Sequence, residues 1–221
     1  MQICLASTSP ARRALLAQSG ITPLLRAPDV DEEAVIAQIE SRRGAALSID
    51  EHVLLLAEFK ARDVAERLAR EDPTFDGVVV GGDSMFAFGG AVLGKPHLPA
   101  VARERWHAMR GGTGYLHSGQ CVVRVSRGAV TDEASATAEA SVSFADDLTD
   151  AEIEAYIATG EPLEVAGAFT VDGRAAAFIT RVEGDPSTVI GLSLSTLRRL
   201  VREVGVNWER LGETLGDVLE N

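Results

Sequence analysis

The sequence is poor in cysteine, in aromatic residues and in positive charge, and it contains no long apolar run. Its two cysteines, Cys4 and Cys121, lie in separate apolar stretches with neither C-x-x-C spacing nor a Cys/His cluster. That pattern argues against a structural zinc site and predicts two buried, reduced thiols. The four histidines, His52, His97, His107 and His117, share no metal-ligand spacing, and a G-x-S-x-G elbow is missing. Covalent catalysis through serine or cysteine is disfavoured accordingly. No segment approaches the roughly 18 to 20 apolar residues of a membrane span, and the first residues lack the charged-then-apolar order of a signal peptide. The expectation is a cytoplasmic protein with no membrane partner.

Against 33 Asp and Glu the chain sets only 21 Lys and Arg, for a formal net charge of −12. Affinity for a nucleic-acid backbone comes largely from cations that neutralise phosphates, so nucleic acid is not an expected partner. A small phosphate-bearing ligand is not excluded, because it needs only a few cations gathered locally.

What the chain does have is enough apolar content, 46% of 221 residues, for a substantial core. The expected organisation is a single folding unit over residues 1–221. Gln2 to Ala6 reads as a strand, followed by a helix with Ser9 as N-cap, Pro10 in the first turn and Gly20 as its stop. A short apolar stretch at Leu24 and Leu25 leads to an acidic turn, Asp29 to Glu33, and a mixed segment to Arg43. Ser48 and Glu51 have capping-box spacing, and Val53, Leu56, Ala57, Val64 and Leu68 recur at helical period, predicting an amphipathic helix to about Arg70.

Gly77 to Asp83 reads as a buried strand with Asp83 at its C-terminal end. Met85–Phe88 and Ala91–Leu93 read as a hairpin through Gly89-Gly90. A helix is expected over Pro99–Met109, a long antiparallel pair between Tyr115 and Phe144, and a capped helix from Thr149 to Gly160. A strand over Ala175–Val182, a helix over Ser193–Val204 and an amphipathic tail helix from Trp208 to Leu219 complete the pattern. Irregular alternation of strands and helices favours a mixed α/β sheet.

Several residues in this pattern could carry chemistry. A carboxylate at the edge of a buried strand, preceded by glycines, occupies the place where open α/β sheets put their ligands. Asp83 could bind a divalent cation there or take a proton from water, although an Asp that merely caps a turn looks the same in isolation. The loop Ser7-Thr8-Ser9-Pro10-Ala11-Arg12-Arg13 offers hydroxyls, backbone N–H groups at a helix start and two arginines. Arginine close to a positive helix end is unfavourable without an anion, so the loop reads as an anion cradle. The alternative is a simple Ser9 cap, with the arginines turned to solvent or to Asp31 and Glu32. Gly89-x-x-x-x-Gly94-Lys95 imitates a phosphate-binding P-loop, but Pro96 supplies no hydroxyl and Gly89-Gly90 reads as a turn. Lys95 is kept as a phosphate contact; Lys60 is weaker, since a helical lysine is usually solvated.

Taken in order, Leu5-Ala6-Ser7-Thr8-Ser9-Pro10-Ala11-Arg12-Arg13, Ala57-Glu58-Phe59-Lys60-Ala61, Val80-Gly81-Gly82-Asp83-Ser84, Leu93-Gly94-Lys95-Pro96, the Ile153 to Pro162 stretch, Val165-Ala166-Gly167-Ala168-Phe169 and Gly184-Asp185-Pro186-Ser187 resemble the Maf family of nucleoside triphosphate pyrophosphatases. The resemblance spans most of the chain. It implies an elongated mixed sheet flanked by helices, in two lobes with a central cleft, like the fold of inosine triphosphate pyrophosphatases. It also implies hydrolysis of a nucleoside triphosphate to a monophosphate and pyrophosphate, with Mg²⁺ or Mn²⁺ as cofactor and a role in removing non-standard nucleotides. Asp83 becomes the residue that activates water or holds the metal, and Glu32 a metal or water ligand. Ser7, Arg12, Arg13, Lys60, Lys95 and Asp172 become substrate contacts. Two positions depart from the family pattern: Gly114 stands where members often carry histidine, and Asp172 where many carry glutamine. Thymidine and uridine triphosphates are the default substrates, a methylated guanosine triphosphate the competitor. A homodimer is the expected assembly, and a non-catalytic regulator of cell division the alternative role.

Overall fold

A computed structural model describes residues 1–211. In chain order these form β1 (Gln2–Ala6), α1 (Pro10–Gln18), β2 (Leu24–Leu25), α2 (Glu32–Arg43), α3 (Ile49–Glu71), β3 (Gly77–Phe88), β4 (Ala91–Val92), α4 (Pro99–Met109), β5 (Thr113–Ser126), β6 (Ala129–Phe144), α5 (Asp150–Ala158), β7 (Ile179–Gly184), α6 (Pro186–Ile190) and α7 (Leu194–Glu203). The strands pair in one seven-stranded sheet of order β2-β1-β3-β5-β6-β7, with β4 on β3. β1 runs parallel to β2 and β3, whereas β6 and β7 are antiparallel. The fold is therefore the expected mixed α/β type.

The chain divides into two compact units, residues 1–83, 118–138 and 191–221 in the first and 84–117 and 139–190 in the second. The core of the first is built from β1, β3 and β5 against α3. Cys4, Ala6, Val79, Cys121 and Val123 meet Ala57, Ala61, Val64, Ala65 and Leu68 there. Both cysteines are free and buried. Burial pushes the Cys4 thiol up to about 11 and raises that of Cys121 further still, so neither is a ready nucleophile.

The helix α3 follows from its sequence. Ser48 and Glu51 close a complete capping box, and the buried positions 53, 56, 57, 60, 61, 64, 65 and 68 trace one helical face. That face is rich in alanine, and it meets glycine on the sheet. A Cβ added at Gly81 would lie 2.2 Å from the Ala57 carbonyl oxygen, and one at Gly119 would lie 2.1 Å from that of Val53. Only a residue without a side chain permits such an approach. The helix is thus seated directly on the backbone of β3 and β5.

The second unit has an aromatic core. Trp106 packs edge-on against Phe144, Tyr156 and Phe178, while Phe86 does the same with Phe144 and Phe169. Such T-shaped pairs match the ring quadrupoles. The indole N–H of Trp106 donates to the Ala168 carbonyl at 2.9 Å, so its polar edge is satisfied in the core.

Four expectations need correction. β3 does not stop at Asp83: it runs unbroken to Phe88, and Gly81 within it meets the backbone of α3. The segment after Asp31 is a helix, α2, capped by the Asp31 side chain on the Ala34 N–H, with Glu32 and Glu33 in its first turn and Arg42 and Arg43 in its last. Glu32 consequently stands at a helix start and not in a turn. The strand expected from Ala175 begins only at Ile179. Arg174–Phe178 winds as a 3-10 helix, consistent with three consecutive alanines of weak β preference. Trp208–Arg210 is a short 3-10 turn and not the start of an α-helix; the rest of the expected tail helix lies outside the described residues.

The close seat of α3 generates a prediction. Replacing Gly81 by valine forces side-chain atoms into the helix backbone, which should lower stability by about 1 to 3 kcal/mol, the usual range for overpacking. Chemical denaturation of the two proteins checks it, and an unchanged midpoint would show that α3 is not held there.

Candidate active site

The first unit gathers five of the predicted residues around one ion-pair cluster. Lys60 projects from the buried face of α3, where it is 7% exposed. Its ammonium is 2.8 Å from Oδ1 of Asp83 on β3 and 2.8 Å from Oε1 of Glu32 on α2. Lys60 is therefore not solvated as a helical lysine usually is, which removes the reason for ranking it below Lys95. A buried ammonium must be paired, and here two carboxylates from two other elements share it. Asp83 is nearly as sheltered, its side chain 14% exposed, while that of Glu32 is 47% exposed. The cluster has a closed end at Lys60 and an open end at Glu32.

The loop after β1 forms around Arg12. Ser9 caps α1 by accepting from the Arg12 N–H at 3.4 Å, and no acidic residue lies in the first helical turn. The Arg12 side chain does not point simply to solvent. Its Nε donates to the Gly191 carbonyl at 2.7 Å and Nη1 donates to the Ser7 hydroxyl at 3.3 Å. Burial pulls the guanidinium below its ordinary value, and the nearby charges of Asp83 and Glu32 pull it back. Arginine stays protonated in proteins, so the consequence is a desolvated, fixed positive charge facing two carboxylates. The backbone at Gly82 leaves room for it: a Cβ there would stand 3.4 Å from Arg12 Nε. Arg13, one residue on, is exposed.

Two residues that the sequence did not single out complete this arrangement. Gly191 contributes only its carbonyl to Arg12. Gln120, fully buried on β5, faces the backbone of Ser193, and with its amide oriented to suit that backbone it donates to Ser193 O at 3.0 Å and accepts from Ser193 N at 2.9 Å. A two-bond amide-to-backbone pair fixes a loop as a strand neighbour would. The clue was present but weak, a lone glutamine inside the apolar run of β5.

Lys95 and Asp172 belong to the second unit, and both are exposed. Gly89 and Gly90 take φ of 59° and 83° between the paired residues Phe88 and Ala91. This is the geometry of a two-residue hairpin loop, which rules out a P-loop. Past Gly94 the chain is pinned on both sides of Lys95: the Gly167 N–H donates to Leu93 O at 2.9 Å and the His97 N–H to Leu163 O at 3.0 Å. His97 itself has a φ of 58°, and the Leu98 N–H reaches back to Pro96 O at 2.7 Å, closing a strained γ-turn.

Gly114 has a packing explanation. A Cβ there would lie 2.2 Å from the ring of Phe86, which is itself fully buried between Phe144 and Phe169. Histidine does not fit at this position while Phe86 keeps its place.

The donor set suits a hard cation. Among the described residues no three His, Cys, Asp or Glu side chains converge. Mg²⁺, however, is commonly held by one or two carboxylates together with substrate phosphates, and Glu32 with Asp83 supplies such a pair.

The chain matches the family model described as Maf-like protein over residues 2–204. A nucleoside triphosphate pyrophosphatase of Leifsonia xyli subsp. xyli is 56% identical over 98% of this chain and 99% of its own length. Proteins of the same name from Rhodococcus opacus and Rhodococcus jostii are 47% and 48% identical, over 96% and 97% of this chain and the same shares of theirs. Among solved structures, a nucleoside-triphosphatase of Mycobacterium abscessus covers 67% of this chain and 76% of its own at 16% identity and a TM-score of 0.31, too low to carry an inference. With its motifs, its mixed α/β sheet and relatives matched end to end, the chain belongs to the Maf family.

Proposed function

We propose that this chain is a nucleoside triphosphate pyrophosphatase, which hydrolyses the bond between the α-phosphorus and the bridging oxygen to give a nucleoside monophosphate and pyrophosphate. The observation that carries the reading is the sheltered Asp83–Lys60–Glu32 cluster facing Arg12, in a chain whose near relatives bear that name.

In the proposed reaction a water oxygen forms a bond to the α-phosphorus while the bond to the bridging oxygen breaks. The water's proton passes to Asp83, and the electron pair of the broken bond leaves with pyrophosphate. Phosphoryl chemistry of this kind depends mainly on positioning and on charge stabilisation. Lys60 and Arg12 are already fixed by Asp83, Gly191 and Ser7, so little reorganisation is required as negative charge builds on the leaving group. Ser7, Arg13, Lys60 and Lys95 are the proposed phosphate contacts alongside Arg12, and Asp172 is the proposed contact to the base. Mg²⁺ or Mn²⁺, held by Glu32 and Asp83, would supply Lewis-acid stabilisation of the phosphate oxygens.

A carboxylate at position 172 accepts hydrogen bonds where an amide would also donate them. Thymidine and uridine triphosphates are the proposed first substrates, with methylated guanosine triphosphate as the competitor. Removal of non-standard nucleotides is the role proposed.

Two predictions follow from the cluster. The purified protein with Mg²⁺ releases pyrophosphate and not orthophosphate, and Asp83→Asn lowers kcat by at least about 100-fold, the lower end of the range for a general base. An enzyme-coupled pyrophosphate assay decides, and orthophosphate alone would sink the reading. Lys60→Met leaves Glu32 and Asp83 without their shared cation, so the melting temperature falls. If these carboxylates bind the metal, millimolar Mg²⁺ restores part of that fall in the variant, as read by calorimetry.

A further inference from the structure

Glu161 follows α5 and opens a 3-10 turn, and nothing in the reaction above uses it. Its carboxylate collects donors from three stretches of chain. The Tyr156 hydroxyl donates to Oε1 at 2.9 Å and the Thr170 hydroxyl at 2.5 Å. The Arg174 N–H donates to Oε1 at 3.0 Å and reaches Oε2 at 3.3 Å. Three donors, two hydroxyls and one backbone N–H, thus converge on one carboxylate. Desolvation works to raise the pKa of Glu161, but these hydrogen bonds outweigh it and hold the group below its ordinary value.

The residues so tied bracket a single loop, Val171 to Gly173, whose exposed tip is Asp172. Thr170 anchors the loop before Asp172, and the N–H of Arg174 anchors it after. Gly173 makes the closure possible: a Cβ there would lie 2.2 Å from Thr170 Oγ1 and 2.7 Å from Glu161 Oε1. The anchor itself is rigid, since the Tyr156 ring is 97% buried against Trp106 and Phe178.

We infer that Glu161 is a positioning residue for base selection, fixing the 171–173 loop so that Asp172 is presented to the base of the triphosphate in one conformation. The inference rests on the proposed pyrophosphatase reading and on the proposed role of Asp172. A short exposed loop containing glycine would sample many conformations, whereas a contact that discriminates between bases requires one. A clamp that ties both ends to a fixed carboxylate removes that freedom. Charged acceptors hold such bonds more strongly than neutral ones, and Gln offers one acceptor oxygen where Glu offers two.

The test is steady-state pyrophosphate release by the full chain from dTTP, dUTP, dGTP and dATP, which share the deoxyribose and the triphosphate and differ in the base. Glu161→Gln is expected to compress the kcat/KM ratio between the best and poorest substrates by about tenfold, mainly through KM, as expected of a misplaced contact. Asp172→Ala should compress it similarly, and the double variant should go little further than either, the non-additivity of residues acting through one contact. Tyr156→Phe removes one donor while keeping the ring in the core, and should give the same effect in smaller degree if Glu161→Gln folds poorly. A Glu161→Gln protein that loses kcat/KM by one common factor for every base, or whose loss adds fully to that of Asp172→Ala, overturns the inference. In that case release by the unaltered protein leaves the pyrophosphatase reading standing. No release from any triphosphate by the unaltered protein would overturn both.

Discussion

The close contact of α3 with the sheet at Gly81 and Gly119 is the constraint on which the rest of the candidate site depends. Two missing side chains let the helix backbone touch the strand backbone. This sets both the distance and the rotation of α3, so that Lys60, one position along the buried alanine-rich face, arrives 2.8 Å from Asp83. A larger residue at either glycine would lift the helix and separate the charges. The energetics favour this order of dependence. Packing places the ammonium in a sheltered spot, and once there it must be paired, which draws Asp83 and then Glu32 to it.

The same logic extends to Arg12. Its desolvated charge is tolerated because Asp83 and Glu32 lie near it and because Gly191 and Ser7 accept from its guanidinium. Gln120 in turn secures the backbone beside Gly191. Fixed donors and charges of this kind are what phosphoryl chemistry demands, since the protein contributes electrostatics in place and not bonds. The second unit solves a related problem differently. There an aromatic core carries loops whose ends are tied down, Lys95 by the contacts of Leu93 and His97, and Asp172 by the carboxylate of Glu161.

Much of this was legible in the amino-acid order. Capping boxes at Ser48 and Thr149 located two helices, and turn glycines located the hairpin after Phe88. The motifs at Asp83, Glu32 and Arg12, far apart in sequence, are brought into one cluster by the fold. What escaped had physical reasons. Gly81-Gly82 before Asp83 reads as a place where a ligand approaches the strand, and only the fold shows the helix backbone pressed on Gly81. Lys60 looks solvated because lysine usually is, yet it falls on the same helical stripe as Val53, Ala57 and Val64, and a charge on an apolar stripe was the available warning. Gly191 could not be found at all, because a carbonyl is present at every residue. Glu161 lies within a stretch that carries the family resemblance, but its role as an acceptor for Thr170 and Arg174 follows only from the fold.

The central claim is that this preassembled cluster directs water to the α-phosphorus of a triphosphate. Hydrolysis in ¹⁸O-labelled water, with the products separated and weighed by mass spectrometry, tests it most directly. The account predicts one labelled oxygen in the nucleoside monophosphate and none in pyrophosphate. Label found in pyrophosphate, or in orthophosphate, would mean attack at a different phosphorus and would contradict it.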